Sequence, residues 1–334
     1  LKRAIIRMRP VGSLSTGEWE AYHALRIRLR AKYHPQAAAE APKRTSEAFR
    51  ERTLASLETL GGVEHVLFKE PDGIALAWMR FFKQGSQLSV GADFDADVIP
   101  RGFLGLLQKG MQVEMDRHDL DLAMAWVEEE RLRIGFESLR PLHQIPYVQM
   151  VFERDQLEPL RVTNWRQMLD ALPSHYRMVH VQDYPAHIHG DYLRLHRQFS
   201  EELPLVGVTL PETGLDSAQL DVFREVQARN GQTSRMAFLE HEDGTRLGLC
   251  EMVASMENGN AIQGMTGINP LHRGQGLAKA LKVYLMLKTF EDIPSLKRIA
   301  TTVSPINPSM LGLNEHLGFK QIKETTQFFF SRED

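Results

Sequence analysis

A chain of 334 residues is long enough for about two domains of ordinary size, each burying its own core. Hydrophobic residues make up 43% and charged residues 25%, the proportions of a soluble globular protein, and the net charge of −3 argues against nucleic acid or an anionic membrane as the bulk partner. The single cysteine, Cys250, excludes an internal disulfide and fits a reducing cytoplasm; no apolar run approaches a membrane span, and no signal-peptide pattern opens the chain.

In chain order, residues 1–9 read as a first strand. Helical spacing follows at Glu18–Lys32 and Ser46–Leu60, with the alanine-rich, proline-bounded stretch Pro35–Pro42 between them. Val63–Lys69 and Ile74–Phe82 read as a hairpin turning at Pro71-Asp72-Gly73, and Leu88–Phe94 as a further strand. A helix at Phe103–Arg117, a strand at Leu122–Val127 and a strand at Tyr147–Glu153 complete the first half.

The second half repeats that order. A strand at Tyr176–Val181 leads to helices at His187–Phe199 and Ser217–Asn230, then to strands at Arg235–Glu240 and Arg246–Ser255 that turn at Glu242-Asp243-Gly244. A strand at Ala261–Ile268, a helix at Leu277–Phe290, a strand at Ile299–Val303, a helix at Pro308–Leu317 and strands through Phe330 follow. Near-equal halves with one element order indicate an internal duplication. The reading is two α+β domains, residues 1–155 and 175–334, joined by a linker over 156–174 in which Trp165, Met168 and Leu172 form a helix.

The chemistry concentrates where the apolar strand ending at Ile268 runs into Asn269-Pro270-Leu271-His272-Arg273-Gly274-Gln275-Gly276 and then a helix opening at Leu277-Ala278. A helix that starts on glycines leaves its first N–H groups unpaired and turns the positive end of its dipole outward. Gly274 and Gly276 let a ligand approach the backbone with no Cβ in the way. Phosphate or pyrophosphate suits such a turn, although plain strand-to-helix turns use glycine too.

A second motif follows: Asn307-Pro308-Ser309-Met310-Leu311-Gly312-Leu313-Asn314-Glu315-His316-Leu317-Gly318-Phe319, with Asn307 as N-cap, Pro308 in the first turn and Gly318 as the stop. The two motifs, in this order and spacing, resemble the acetyl-CoA-binding core of the GNAT acyltransferase superfamily over roughly residues 175–334. Arg273, Gly276 and Ala278 match its pyrophosphate loop, and Asn307, Met310, Leu313, Leu317, Gly318 and Phe319 match its second motif. The resemblance implies a layered α/β/α fold, tandem here, each domain a mixed, mostly antiparallel twisted sheet flanked by helices. It also implies acetyl-CoA as co-substrate, no metal, Ile268 bonding the pantetheine arm, and backbone N–H groups of Arg273, Gly274, Gln275, Gly276, Leu277 and Ala278 around the pyrophosphate.

The halves are not equivalent. At the corresponding loop of the first half, Ile99-Pro100-Arg101-Gly102-Phe103-Leu104-Gly105-Leu106, leucines stand where the family has a glycine and a small residue, and Glu128, Glu129 and Glu130 would repel a polyanion. The first domain reads as degenerate, shaping the acceptor pocket or holding the second domain.

For the general base the first choice is Glu251, a charge in the apolar run Leu247–Met252, because a buried carboxylate is a stronger base. On the alternative reading, strand alternation puts it on a solvated face. Many relatives carry a glutamate on the next strand, where this chain has Gln263-Gly264-Met265; a water held by Glu251 and Thr266 is a possible relay. The family's acid, a tyrosine, falls at Asn314, which can donate a hydrogen bond to the leaving thiolate but not a proton; mycothiol-synthase-like tandem proteins are similar in this respect. Asn307 bonds cofactor amides, caps its helix, or both.

Several blander assignments complete the reading. His187, His189 and His196 read as surface histidines rather than a metal site, Cys250 as a small buried hydrophobe, His272 as facing solvent or phosphate, and Phe328-Phe329-Phe330 as packing. The expectation is an N-acetyltransferase acting on a primary amine of a small molecule, without nucleic acid or membrane, as a monomer or homodimer. The alternatives are a non-catalytic acyl-CoA-binding or regulatory module and an aminoacyl-tRNA-dependent transferase. Residues around Pro204-Leu205-Val206 are expected to line the acceptor pocket.

Overall fold

The computed structural model describes residues 5–33, 35–40, 44–94, 102–202 and 215–332. They belong to two compact units, one of residues 1–145 with 325–334, the other of residues 146–324. The expected loop residues Ile99, Pro100 and Arg101, the end of the alanine-rich stretch at 41–43 and the segment Pro204-Leu205-Val206 lie outside the described residues.

In the first unit, β1 (Ile5–Pro10), β2 (Val63–Glu70), β3 (Ile74–Gln84), β4 (Gln87–Phe94) and β5 (Leu122–Val127) follow one another across the sheet, and β12 (Lys320–Ser331), the last strand of the chain, lies beside β5. Neighbours are antiparallel except the parallel pair β4–β5. Helices α1 (Thr16–Tyr33), α2 (Pro35–Glu40) and α3 (Ser46–Leu60) separate β1 from β2, α4 (Phe103–His118) separates β4 from β5, and α5 (Glu130–Ser138) follows β5. Helix α3 has the ends its sequence asks for. The Thr45 hydroxyl accepts from the Ala48 amide at 3.2 Å, and Gly61, at φ 60°, closes the other end. Phe81, Phe94, Phe103, Met111 and Phe328 fill one core, while Trp19, Tyr22 and Leu25 of α1 pack on Val66 and Phe68 in another.

The second unit contains most of β6 (His143–Glu153), then α6 (Pro159–Asp170), β7 (Tyr176–Gln182), α7 (His189–Glu201), α8 (Ser217–Arg229), β8 (Gln232–His241), β9 (Arg246–Ser255), β10 (Asn260–Ile268), α9 (Leu277–Asp292), β11 (Arg298–Val303) and α10 (Pro308–Leu317). Its sheet order is β6-β11-β10-β9-β8-β7, again antiparallel except for one pair, β10–β11. Helix α9 buries Leu281, Val283, Leu285 and Met286, and the linking helix α6 joins the same core through Trp165, whose ring lies 5.7 Å from that of Phe152.

Each unit thus repeats one pattern, five strands with a parallel pair at the same place and a helix between the parallel strands. The sixth strand comes from the end of the other half of the chain: β6 pairs with β11, and β12 pairs with β5. The compact units therefore differ from the consecutive segments 1–155 and 175–334 in these closing strands. Phe328 and Phe330 are core, as expected, but in the first unit. No helix among the described residues is long and apolar enough to cross a membrane.

Candidate active site

Strands β10 and β11 pair only from Asn260–Arg298 to Gln263–Thr301; beyond that point β10 runs on to Ile268 and β11 to Val303 without pairing to each other. At the same level the register between β10 and β9 shifts, from Gln263–Met252 to Thr266–Cys250, so that Gly264 and Met265 together stand opposite Glu251. This bulge re-aims β10 away from β11 and opens a crevice at the carboxyl ends of two parallel strands.

The bulge also explains where Glu251 sits. The Met265 amide, released from the ladder, donates to Glu251 Oε1 at 3.1 Å, and the Tyr192 hydroxyl of α7 donates to Oε2 at 2.7 Å. A Cβ at Gly264 would stand 2.7 Å from Oε1, so the glycine makes room for the carboxylate. Glu251 is half-buried, neither sealed in the core nor on an open face. Burial, and next the Glu251 charge, push the Tyr192 phenol well above its ordinary value, and burial pushes Tyr184 beside it up to about 12. Both remain hydrogen-bond donors at neutral pH. The Thr266 hydroxyl lies 3.3 Å from Cys250 Sγ.

Beyond Ile268, Asn269 Oδ1 accepts from the Leu271 amide at 3.1 Å and shapes a tight turn over Pro270–His272. Gly274 and Gly276 then adopt φ of 78° and 75°, left-handed conformations that favour glycine. No side chain caps α9, and its first ladder bond runs from the Ala280 amide to the Gly276 carbonyl at 3.0 Å. Residues 273–276 are exposed, and no described residue lies within 4 Å of where a Cβ on Gly274 or Gly276 would stand. Among the described residues the first-turn amides of Leu277 and Ala278 have no side-chain cap at the positive end of a helix dipole, an arrangement that fits a pyrophosphate.

Arg273 is folded back: its Nε donates to the Ile268 carbonyl at 2.8 Å, and its guanidinium pairs with Glu202 after α7. Gln275 is exposed. His272 is held by the Tyr176 hydroxyl, 2.8 Å from its Nδ1, and so has a protein partner. Asn307 caps α10 through its Oδ1, which accepts from the Met310 amide at 3.1 Å.

The floor beneath the crevice holds a residue that sequence reasoning missed. Lys282 lies on α9 with 1% of its surface exposed; its Nζ donates to Asn314 Oδ1 of α10 and stands 4.9 Å from the centroid of the Phe319 ring. Asn314 has 0% exposure, and its Nδ2 has no hydrogen-bond partner. Burial lowers the lysine ammonium to about 8, the nearby Cys250 thiol acting in the opposite sense. Cys250 is buried mid-strand, as expected of a small hydrophobe, and accepts from Gln263 Nε2 at 3.0 Å. The available signal was a second lysine within the apolar run Leu277–Leu287, but Lys282 reads there as one more solvated charge.

The histidines do not gather. His189 is buried rather than at the surface, because its Nε2 lies 2.8 Å from the Tyr184 carbonyl oxygen, while His196 neighbours Ser200. Among the described residues no three His, Cys, Asp or Glu side chains are grouped as metal ligands.

In the first unit an arginine sits at the carboxyl end of the corresponding strand, β4. Arg131 of α5 donates to the Phe94 carbonyl at the end of β4, to Asp93 at 2.6 Å and to Glu129 at 2.8 Å, with its guanidinium 3.7 Å from the centroid of the Tyr33 ring. Leu104 packs on α5, where a Cβ at Gly135 would come within 3.3 Å of its Cδ2. Leu106 instead lines a mainly apolar cavity of about 780 Å³ beside α4 and β3.

No protein-family model matches the sequence, and no curated protein is significantly similar to it. Solved structures are similar over the whole chain. A tandem GNAT protein from the clavulanic acid biosynthesis pathway, solved without AcCoA, is 16% identical with a TM-score of 0.70 and 99% of each chain covered. A GCN5-related N-acetyltransferase from Sphaerobacter thermophilus is 14% identical with a TM-score of 0.61, covering 100% of this chain and 97% of its own. With one repeated sheet pattern in both units and whole-chain likeness of this kind, the fold is that of the tandem GNAT proteins.

Proposed function

We propose that this chain is an acyl-CoA-dependent N-acyltransferase that moves an acetyl group from acetyl-CoA to a primary amine of a small molecule, with its active site in the second unit. The observation that carries the reading is the uncapped, exposed start of α9 directly beyond the splayed ends of β10 and β11, with the Glu251 carboxylate fixed in the adjoining bulge.

Each residue then has a task. Backbone amides from Gly274 to Ala278 hold the pyrophosphate, and the glycines keep the approach open. Arg273, half-exposed and paired with Glu202, is placed to transfer its charge to a phosphate. The unpaired edge of β10 up to Ile268 receives the amide-bearing arm as an added strand would. Bound there, the thioester supplies an activated carbonyl. Glu251 takes the ammonium proton of the acceptor, with Tyr192 and the Met265 amide keeping its carboxylate in one place. Asn307 sets the start of α10, and Asn314 with Lys282 forms the floor. Cytoplasmic location, a monomer or homodimer, and no nucleic-acid or membrane partner complete the proposal.

The test is acetyl-CoA binding by calorimetry and release of coenzyme A thiol with a library of amines. Neither binding nor release with any amine ends the proposal. One observation favours a second reading, an acyl-CoA-binding module without turnover: Asn314, at the place of the family's acid, is shut off from water. Tight binding with no thiol release, in both wild type and Glu251→Gln, selects that reading.

A further inference from the structure

The first unit holds a cavity that acyl transfer leaves without a task. Its volume is about 780 Å³, and every residue lining it belongs to that unit. Small-molecule sites run from roughly 300 to 1,000 Å³. The repeat explains why the space is there. Helices α4 and α9 correspond, since each runs 16 residues from a left-handed glycine, Gly102 or Gly276, between the two parallel strands. At the eighth and eleventh positions α9 carries Tyr284 and Leu287, while α4 carries Gly110 and Val113. A Cβ at Gly110 would stand 2.7 Å from Phe81 Cζ, so the ring from β3 lies directly under the helix and forms part of the cavity wall. In the second unit α6 also packs along α9, with Arg166 paired to Glu291 at 3.2 Å and Met168 and Leu169 against the shared core. Among the described residues α4 has no counterpart of α6.

The deeper wall is apolar apart from Glu114 and His65. Along β2, Val66 and Phe68 pack with α1 while Leu67 joins the core under α4, so alternation puts the His65 ring on the α4 side. His65 is half-buried, and neither of its ring nitrogens makes a hydrogen bond among the described residues; Nδ1 is enclosed, Nε2 is not. Burial holds the imidazole below its ordinary value, with Glu114 acting in the opposite sense, so the ring is neutral at pH 7. A neutral imidazole offers one donor and one acceptor, and a hydroxyl, which is both, suits Nε2 in either tautomer. The charges around the cavity cancel. Arg117 holds Glu114 at 2.9 Å, Lys109 and Glu58 are exposed at the rim with opposite signs, and the Glu64 carboxylate turns away to Arg80 and Tyr22. A charged guest would give up its hydration there without meeting a net opposite charge.

We propose that this cavity binds an uncharged, largely apolar ring compound whose hydroxyl bonds to His65 Nε2. The apolar body lies among Met8, Leu57, Met79, Phe81 and Val113, and the hydroxyl takes the ring nitrogen that the chain itself leaves without a partner. The proposal goes beyond the acyltransferase reading and does not depend on it, because the cavity and the glycine turn before α9 belong to different units and the ligand is bound unchanged.

The test uses the full-length protein and equilibrium dialysis with 2-naphthol, a neutral fused-ring hydroxyl compound. Naphthalene, 2-naphthoate and protonated 2-naphthylmethylamine serve as comparisons lacking the hydroxyl or carrying a charge. One molecule of 2-naphthol per chain is expected to bind saturably, about tenfold tighter than each comparison, the scale of one hydrogen bond. Val113→Trp puts an indole into the cavity from an exposed position of α4, and is expected to remove that binding with the circular dichroism spectrum unchanged. His65→Phe is expected to bring 2-naphthol down to the level of naphthalene while naphthalene itself binds as to wild type. Absence of saturable 2-naphthol binding, or binding that Val113→Trp leaves intact, overturns the proposal. So does an equal loss of both compounds in His65→Phe, or a charged comparison that binds as tightly as 2-naphthol. Should Val113→Trp fail to fold, Gly12→Phe decides in its place, because Gly12 lines the cavity and no described residue lies within 4 Å of where its Cβ would stand.

Discussion

Tyr192 donates to one oxygen of Glu251 at 2.7 Å, while the Met265 amide holds the other at 3.1 Å. The carboxylate is thereby tied to the bulge and presented half-buried to the crevice. For Glu251→Gln the expected outcome is a fall in thiol release of about 10²-fold or more, with acetyl-CoA affinity within about threefold of wild type. Steady-state kinetics with calorimetry on the same preparation checks it. Undiminished turnover would move the base elsewhere. Tyr192→Phe keeps the carboxylate but frees one oxygen, and a smaller loss, about tenfold, is expected.

Gly276 stands at φ 75° with open space around its missing Cβ, so Gly276→Ala meets strain rather than collision. The strain is about 1–2 kcal/mol, a drop of roughly 1–3 °C in Tm for a chain of this size. Gly276→Trp puts an indole over the first-turn amides and is expected to abolish acetyl-CoA binding while the circular dichroism spectrum stays that of wild type. Wild-type affinity in Gly276→Trp would mean that the pyrophosphate lies elsewhere.

The elements with sharp local signals were legible in the sequence. The helix Ser46–Leu60, the strand Arg246–Ser255 and the helix Pro308–Leu317 have the ends that their caps and alternation indicate. The turn before α9 was legible for the same reason, since Gly274 and Gly276 adopt φ values few other residues adopt. Helix α5 was not, because Glu130–Ser138 is short, carries charges at four of its nine positions and buries only a small face of Leu132, Gly135 and Phe136. The exchange of β6 and β12 joins strands from opposite halves of the chain, and periodicity says nothing about partners. Arg131 and Lys282 look like ordinary surface charges until the helices above them are placed.

Arg131 ties together the carboxyl end of β4 in the first unit. Its guanidinium serves Asp93, Glu129 and the Phe94 carbonyl together, with only 12% of its side chain exposed. Arg131→Met removes the cation that Asp93, Glu129 and the Phe94 carbonyl share in a partly buried site, at a cost of about 3–5 kcal/mol. Denaturant unfolding is expected to show that loss, with acetyl-CoA affinity unchanged where the coenzyme site lies, as proposed, in the second unit. Loss of affinity alongside the loss of stability would contradict the assignment of the site to one unit.

Lys282 makes a prediction about pH that needs no ligand. Burial brings its ammonium from 10.5 down to about 8 in the folded chain. Below pH 8 the lysine is protonated in both states, and the fold carries the whole penalty of a buried cation. Between pH 8 and pH 10.5 the unfolded chain still holds the proton and the folded chain has released it, so this residue's contribution to stability rises with pH. At about 1.4 kcal/mol per pH unit, the gain is of the order of 3 kcal/mol by the upper limit. Lys282→Met has no such proton to lose. Urea unfolding is therefore expected to find the variant at least as stable as wild type below pH 8, and its advantage is expected to vanish as pH approaches 10.5. A constant difference between the two proteins across that window would show that the ammonium is solvated, and that α9 and α10 do not enclose it.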